Sequence, residues 1–139
     1  MNNQLSILVL DDETVVGQRL EKALKKNGYY VETFVDPLQA VERLDARTFD
    51  IVITDIRMDN MDGISILEHV MARNQRTKFI MITGYATLEI ARESLVKGAF
   101  DFIAKPFELN EVRNAVEKAR KVLQEKDSQG GGAQIDCWR

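Results

Sequence analysis

Five short runs rich in apolar and β-branched residues recur along the chain, and each precedes a stretch whose apolar residues have helical spacing. The second run alternates with the polar residues Glu32 and Thr33, as an edge strand would, whereas the others are largely continuous. Continuous apolar runs of this length are typical of strands buried on both faces of a parallel sheet. Strands are therefore predicted at residues 6–10, 30–35, 51–54, 79–83 and 101–104. Because repeated strand-helix units with short connections make right-handed crossovers, we expect an α/β, doubly wound (βα)5 fold with helices on both faces.

Turn and capping residues mark the ends of the predicted helices. Gly28 and Gly98 each follow a helical stretch, where glycine commonly ends a helix. Asp36 and Pro37 have the pattern of an N-cap followed by proline at the first helical position. Helices are predicted at residues 13–27, 37–46, 64–71, 86–97 and 109–123.

Length and composition limit the domain organisation. The 139 residues, 45% of them hydrophobic and 29% charged, are enough for one globular domain, which we place at residues 1–125. The segment that follows contains three consecutive glycines and has the composition of a flexible linker or tail, at residues 126–139.

The sequence also lacks the features of several protein classes. No apolar stretch is long enough to span a bilayer, and residues 1–4 do not resemble a signal peptide, so we predict a cytoplasmic protein with no membrane partner. The net charge of −3 argues against direct nucleic-acid binding. Cys137 is the single cysteine, which excludes an internal disulfide and a multi-cysteine zinc site.

Charged residues follow three of the predicted strands. Asp11 and Asp12 come after the first strand, Asp55 after the third, and Lys105 after the fifth. Because parallel strands point their carboxyl ends toward one edge of the sheet, we expect these side chains to meet there. Three carboxylates and one ammonium suit a divalent cation and a phosphoryl group.

These residue types predict a specific chemistry. The carboxylate of Asp55 can attack phosphorus and form an acyl phosphate. Mg²⁺ would offset the repulsion between the carboxylate and the incoming group, with Asp12 and Asp55 as direct ligands and Asp11 acting through water or by orienting the metal. Lys105 would pair with Asp55 before transfer and with the phosphoryl oxygens afterwards, and Thr83 could donate its hydroxyl to one of them. Taken singly, each residue could instead be an N-cap, a turn former or a strand end.

The combination resembles the receiver domain of bacterial two-component response regulators over residues 5–125. Four motifs carry the resemblance, and they are Asp11-Asp12, Asp55-Ile56-Arg57-Met58 with Met61-Asp62-Gly63, Thr83-Gly84, and Lys105-Pro106-Phe107. The resemblance implies the flavodoxin-like strand order 2-1-3-4-5. It also implies a cis peptide bond between Lys105 and Pro106.

The resemblance further implies roles for individual residues. Asp55 would be the phosphoacceptor, with Lys105 and Thr83 completing the catalytic site. Thr83 and Phe102 would form a switch pair, in which the hydroxyl moves toward the phosphate and the ring turns inward. The cofactor would be Mg²⁺ or Mn²⁺, and its ligands would be Asp11, Asp12, Asp55 and the backbone carbonyl of Arg57.

A signalling switch is the function that the resemblance implies. A sensor histidine kinase would supply the phosphoryl group, and the surface around the fourth helix, fifth strand and fifth helix would change. The output, in transcription, would come from a domain or effector beyond the C-terminus. The chain would not be an enzyme beyond its own phosphorylation and dephosphorylation, and we expect phosphorylation to shift the balance between monomer and homodimer.

Three other functions fit parts of the sequence. A phosphatase could use Asp11 as nucleophile, although Glu13 stands where such enzymes have a second aspartate. A flavodoxin-like carrier shares the sheet, but a flavin phosphate would meet the acidic Asp11-Asp12-Glu13 segment. A receiver that has lost phosphorylation would act only as an interaction domain.

Overall fold

The apolar runs form five parallel strands of a single sheet in the computed structural model, which describes residues 4–58, 61–85 and 87–128, with side chains to residue 125. The strands are β1 (Ser6–Leu10), β2 (Tyr30–Phe34), β3 (Ile51–Asp55), β4 (Lys78–Thr83) and β5 (Asp101–Ala104). Their order is β2-β1-β3-β4-β5, and every adjacent pair is parallel. The predicted fold and strand order are confirmed.

Helices alternate with the strands throughout the described residues. They are α1 (Thr14–Lys26), α2 (Pro37–Ala46), α3 (Gly63–Met71), α4 (Leu88–Val96) and α5 (Leu109–Ser128). Side chains of β1 alternate between the two faces of the sheet, since Ile7 and Val9 pack beneath α1 and α5 whereas Leu8 and Leu10 pack beneath α2 and α3. Both faces of the sheet are therefore covered, and its carboxyl edge is left open. None of the described helices combines the length and hydropathy needed to cross a membrane.

The predicted capping signals form as expected. The Asp36 carboxylate accepts a hydrogen bond from the Leu38 amide at 3.0 Å, and Pro37 is the first residue of α2. Gly28 and Gly98 follow α1 and α4 with φ angles of 94° and 115°, a region that favours glycine.

Most helix bounds lie within one residue of those predicted, and two differ by more. Helix α4 begins at Leu88 instead of residue 86, because the Thr87 hydroxyl accepts a hydrogen bond from the Ile90 amide and makes Thr87 the N-cap. Ala86 itself lies outside the described residues. Helix α5 continues to Ser128, beyond the predicted helix end at residue 123 and the predicted domain end at residue 125. The remainder of the predicted linker, residues 129–139, lies outside the described residues, so the domain boundary stays a prediction.

Gly63 allows α3 to begin directly against the end of β3. Its amide donates a hydrogen bond to the Ile56 carbonyl at 2.8 Å. A Cβ atom at this position would overlap the carbonyl oxygen of Asp55 and lie 3.2 Å from the Cα of Ile56. These neighbours are backbone atoms, which cannot rotate away as a flexible side chain can. The tight return of the chain beneath Asp55 therefore requires glycine.

Replacing Gly63 should destabilise the protein. We expect Gly63→Ala to lower the free energy of unfolding by about 2 kcal/mol, because the new methyl group must displace backbone. Gly84→Ala is the matched control, since no atom lies within 4 Å of its Cβ position, and its change should stay within about 0.5 kcal/mol. Urea denaturation measures both, and wild-type stability of Gly63→Ala would contradict the close approach.

Candidate functional site

Acidic residues from two strands meet at the carboxyl edge of the sheet. Asp11 and Asp12 directly follow β1, and Asp55 is the last residue of the neighbouring strand β3. One carboxylate oxygen from each lies within 4.8 Å of the other two. Asp11 and Asp55 are buried, with 3% and 6% of their surface exposed, whereas Asp12 is exposed. The cluster thus has an inner, desolvated part and an outer part that solvent can reach.

Lys105 joins this cluster from the end of β5. Its Nζ atom lies 2.9 Å from Asp11 Oδ2, 2.9 Å from Asp55 Oδ2 and 3.1 Å from Glu13 Oε1. An ammonium group has three N–H donors, so each of these carboxylates can receive one. The Lys105-Pro106 peptide bond is cis, as the resemblance implies. The structure brings together the four charged residues that the sequence places after strands one, three and five.

Backbone amides orient the two buried carboxylates. Asp11 Oδ1 accepts a hydrogen bond from the Glu13 amide at 2.8 Å, and Asp55 Oδ1 accepts one from the Arg57 amide at 3.2 Å. In each aspartate the other oxygen, Oδ2, is the one nearest Lys105. Both carboxylates are therefore fixed at two points.

The site carries more negative than positive charge. Burial raises the pKa of Asp11, an effect that the Glu13 amide and Lys105 oppose and the nearby Asp55 charge reinforces. Burial alone would lower the pKa of Lys105, but its hydrogen bonds to Asp55, Asp11 and Glu13 outweigh this and raise it above its usual value. Lys105 is therefore a fixed cation at neutral pH. A single ammonium among these carboxylates leaves an excess of negative charge that a divalent cation would complement.

Thr83 and Phe102 occupy adjacent strands on one face of the sheet. Phe102 pairs with Met81, two residues before Thr83 in β4, so the side chains of Thr83 and Phe102 point to the same face. The Thr83 side chain is fully buried, and its hydroxyl oxygen accepts a hydrogen bond from the Tyr85 amide at 3.0 Å. Phe102 is partly buried beside the core under α2 and α3. The hydroxyl is thus already engaged with the loop that follows β4.

The sequence does not reveal two contacts at this edge. Glu13 is 92 residues from Lys105 in the chain, and only its place directly after Asp11 and Asp12 hints that it faces the same site. The Arg57 guanidinium lies over the Tyr85 ring, 5.0 Å from its centroid. This second contact ties the loop after β3 to the loop after β4.

Comparison with known proteins gives a consistent result for most of the chain. The family model described as "Response regulator receiver domain" matches residues 7–117. The DNA-binding transcriptional regulator NtrC of Escherichia coli (strain K12) is 33% identical over 120 residues, which are 86% of this chain and 26% of that protein. This chain therefore spans about a quarter of the length of that curated relative.

Solved structures agree with the sequence comparison. A CheY-like response regulator receiver domain protein from Methanospirillum hungatei JF-1 is 30% identical with a TM-score of 0.80, and the match covers 91% of this chain and 99% of that one. The solution structure of the beryllofluoride-activated NtrC4 receiver domain dimer is 25% identical with a TM-score of 0.76, covering 86% of this chain and 97% of that one.

Replacing Lys105 should destabilise the fold, because Asp11 and Asp55 would remain buried without their counter-charge. We expect Lys105→Gln to lower the free energy of unfolding by about 2–3 kcal/mol at neutral pH, because Asp11 and Asp55 lose the charge that compensates their burial. In an Asp55→Asn background the same substitution should cost less, since one buried charge is already gone. Urea denaturation of the wild type, the two single variants and the double variant gives the coupling free energy between Lys105 and Asp55.

Lys97→Gln is the matched control for this substitution. Lys97 also pairs with two carboxylates, those of Glu68 and Glu93, but both are about half exposed. Its loss should change the stability by less than about 1 kcal/mol. Equal costs for the two lysine substitutions, or no coupling between Lys105 and Asp55, would contradict the role assigned to Lys105 in the fold.

Proposed function

The chain belongs to the response regulator receiver domain family, and on that premise we propose that it is a phosphorylatable switch whose acceptor is Asp55. Receiver domains of response regulators are signalling domains and not enzymes with a free substrate. The phosphoryl donor would be a sensor histidine kinase. The proposal rests above all on one observation, that a buried carboxylate at the end of β3 has one oxygen against Lys105 and lies within 4.8 Å of two further acidic groups.

The chemistry follows from the atoms around Asp55. One of its oxygens attacks the phosphorus of a phosphohistidine, the phosphorus–nitrogen bond breaks, and the histidine leaves with the electron pair of that bond. Lys105 lies 2.9 Å from Asp55 Oδ2, close enough to donate to oxygens of the transferred group. Hydrolysis resets the switch when water attacks the phosphorus, which releases inorganic phosphate and restores the carboxylate.

Magnesium fits the donors present at this edge. Asp11, Asp12 and Asp55 offer hard oxygen ligands close together, and the lysine leaves their charge only partly balanced. We assign Asp12 and Asp55 as direct ligands of Mg²⁺ or Mn²⁺, with the backbone carbonyl of Arg57, and Asp11 as the residue that orients the metal. The bound cation would neutralise charge that otherwise repels the phosphoryl donor.

Thr83 and Phe102 would report the phosphorylation to the surface. To reach a phosphoryl oxygen, the Thr83 hydroxyl must shift toward Asp55, and its bond to the Tyr85 amide then changes. Movement of this hydroxyl frees space on the face that Phe102 shares, and the partly buried ring can turn inward. The surface formed by α4, β5 and α5 would then differ between two states.

The relatives supply the proposed output. NtrC is a DNA-binding transcriptional regulator almost four times as long as the matched region. We therefore propose that a segment beyond the C-terminus of this domain, or a separate effector, acts on transcription. The predicted linker, of which residues 126–128 still belong to α5, would join the domain to it. The receiver itself would contact neither membrane nor DNA and would act in the cytoplasm.

Phosphorylation should occur on Asp55 and require magnesium. After incubation with acetyl phosphate and Mg²⁺, we expect the wild-type protein to gain the mass of one phosphoryl group, and Asp55→Asn to gain none. Removal of the metal by a chelator should abolish the gain in mass, because the acidic cluster then repels acetyl phosphate. Intact-protein mass spectrometry measures each result.

Controls separate this reaction from the alternatives. Asp45→Asn removes an exposed carboxylate at the end of α2 and should leave the gain unchanged. Modification that survives Asp55→Asn but is lost in Asp11→Asn would favour a phosphatase-like nucleophile instead. A wild-type protein that gains no mass from any competent donor would favour a receiver that acts only as an interaction domain.

An exposed apolar face on α4 supports association in the phosphorylated state. Leu88, Leu95 and Val96 are 68%, 50% and 84% exposed, and Ser94 is the helix's one buried residue. Exposed apolar groups clustered on one helix often mark contacts with a partner. We propose that a second copy of the chain binds there.

Association should therefore depend on the state of Asp55. We expect beryllium fluoride with Mg²⁺ to raise the dimer fraction measured by light scattering, and Val96→Ser to reduce that increase. Val15→Ser is the control, because Val15 is 65% exposed but lies on α1. An unchanged molar mass upon addition of beryllium fluoride would contradict the proposed dimer.

A further inference from the structure

Glu13 is the N-cap residue of α1, yet its side chain does not cap the helix. Asp36, Asp62 and Thr87 at the starts of α2, α3 and α4 each accept a hydrogen bond from a backbone amide of their helix. The α1 N-cap has no such side-chain bond. Glu13 Oε1 instead lies 3.1 Å from Lys105 Nζ. Glutamate is not among the residues favoured at an N-cap. The Glu13 side chain therefore pairs with Lys105 and does not stabilise the start of α1.

The three carboxylates around Lys105 differ in what they lose if the lysine turns away. The side chains of Asp11 and Asp55 are 3% and 8% exposed, so either would be left as a buried charge. The Glu13 side chain is 64% exposed, and water can replace the lysine at little cost. Of the three bonds, the one to Glu13 is the easiest to exchange.

A phosphoryl group on Asp55 adds new oxygen acceptors within reach of Lys105. In the unphosphorylated protein the three N–H donors of Lys105 are matched by three carboxylates. To bind a phosphoryl oxygen, one of these donors must leave its carboxylate. We propose that Glu13 is a positioning residue that holds this third donor of Lys105 before transfer and yields it to the phosphoryl oxygens afterwards. The proposal rests on Asp55 being the phosphoacceptor. Glu13 then favours the unphosphorylated state and sets how readily the switch turns on.

Two substitutions test the exchange, both at saturating Mg²⁺ so that metal occupancy is equal. Glu13→Gln removes the charge and leaves a weaker acceptor, whereas Glu13→Asp keeps the charge but is one methylene too short for Lys105. We expect both to raise the rate of phosphorylation by acetyl phosphate roughly two- to fivefold, the range that an exposed ion pair allows. The apparent affinity for beryllium fluoride, followed by fluorine NMR, should tighten by a similar factor.

The matched control is Glu42→Gln, which removes an exposed carboxylate from α2 and should leave both quantities unchanged. Unchanged or slower phosphorylation of Glu13→Gln would overturn the proposal. Acceleration of Glu13→Gln with wild-type behaviour of Glu13→Asp would also overturn it, because the effect would then come from net charge and not from the bond to Lys105. A wild-type protein that gains no phosphoryl mass would instead refute the proposed function itself.

Discussion

The ammonium group of Lys105 is the counter-charge on which the carboxyl edge of the sheet depends. Asp11 and Asp55 are desolvated where β1 and β3 end side by side, and buried carboxylates are tolerated only when they are paired or hydrogen-bonded. Lys105 reaches both at 2.9 Å from the end of β5, two strands away from β3. The parallel arrangement makes this possible, because all three strands deliver their last residues to the same edge.

The same edge carries an excess of negative charge, and the proposed function depends on this excess. One lysine cannot neutralise Asp11, Asp12, Glu13 and Asp55 together, and in the proposed function a divalent cation and then a phosphoryl group would complement this site. Addition of the phosphoryl group would then require Lys105 to redistribute its three N–H donors. Thr83 is tied to the Tyr85 amide in the same region, so a change at Asp55 can extend into the loop that leads to α4. Charge balance at one edge would in this way couple the proposed chemistry at Asp55 to the surface around α4.

Much of this arrangement could be predicted from the sequence, for identifiable reasons. Continuous apolar runs locate β1, β3 and β4, because these strands are buried on both faces of the sheet. The edge strand β2 is recognised instead by its alternation of apolar and polar residues. Asp36, Gly28 and Gly98 mark helix ends through local chemistry that needs no tertiary information. The strand order and the cis bond before Pro106 came from family resemblance, since both depend on how distant segments pack.

Other features could not be predicted, because they depend on contacts between distant or closely packed segments. The start of α4 depends on the Thr87 hydroxyl accepting a hydrogen bond from the Ile90 amide, and the residue types alone do not show that this bond forms. The Glu13 bond to Lys105 joins positions 92 residues apart. The need for glycine at position 63 follows from the backbone of Asp55 and Ile56 lying against it. A pattern of residue types does not contain these distances.

A crystal structure of the protein with magnesium and beryllium fluoride would show whether Asp55 is the phosphoacceptor and Lys105 its partner. We expect one cation about 2.1 Å from carboxylate oxygens of Asp12 and Asp55, beryllium bonded to Asp55, and Lys105 Nζ in contact with a fluoride. Beryllium bonded to a different residue, or Lys105 turned away from the fluorides, would contradict the claim that this edge is built to receive a phosphoryl group.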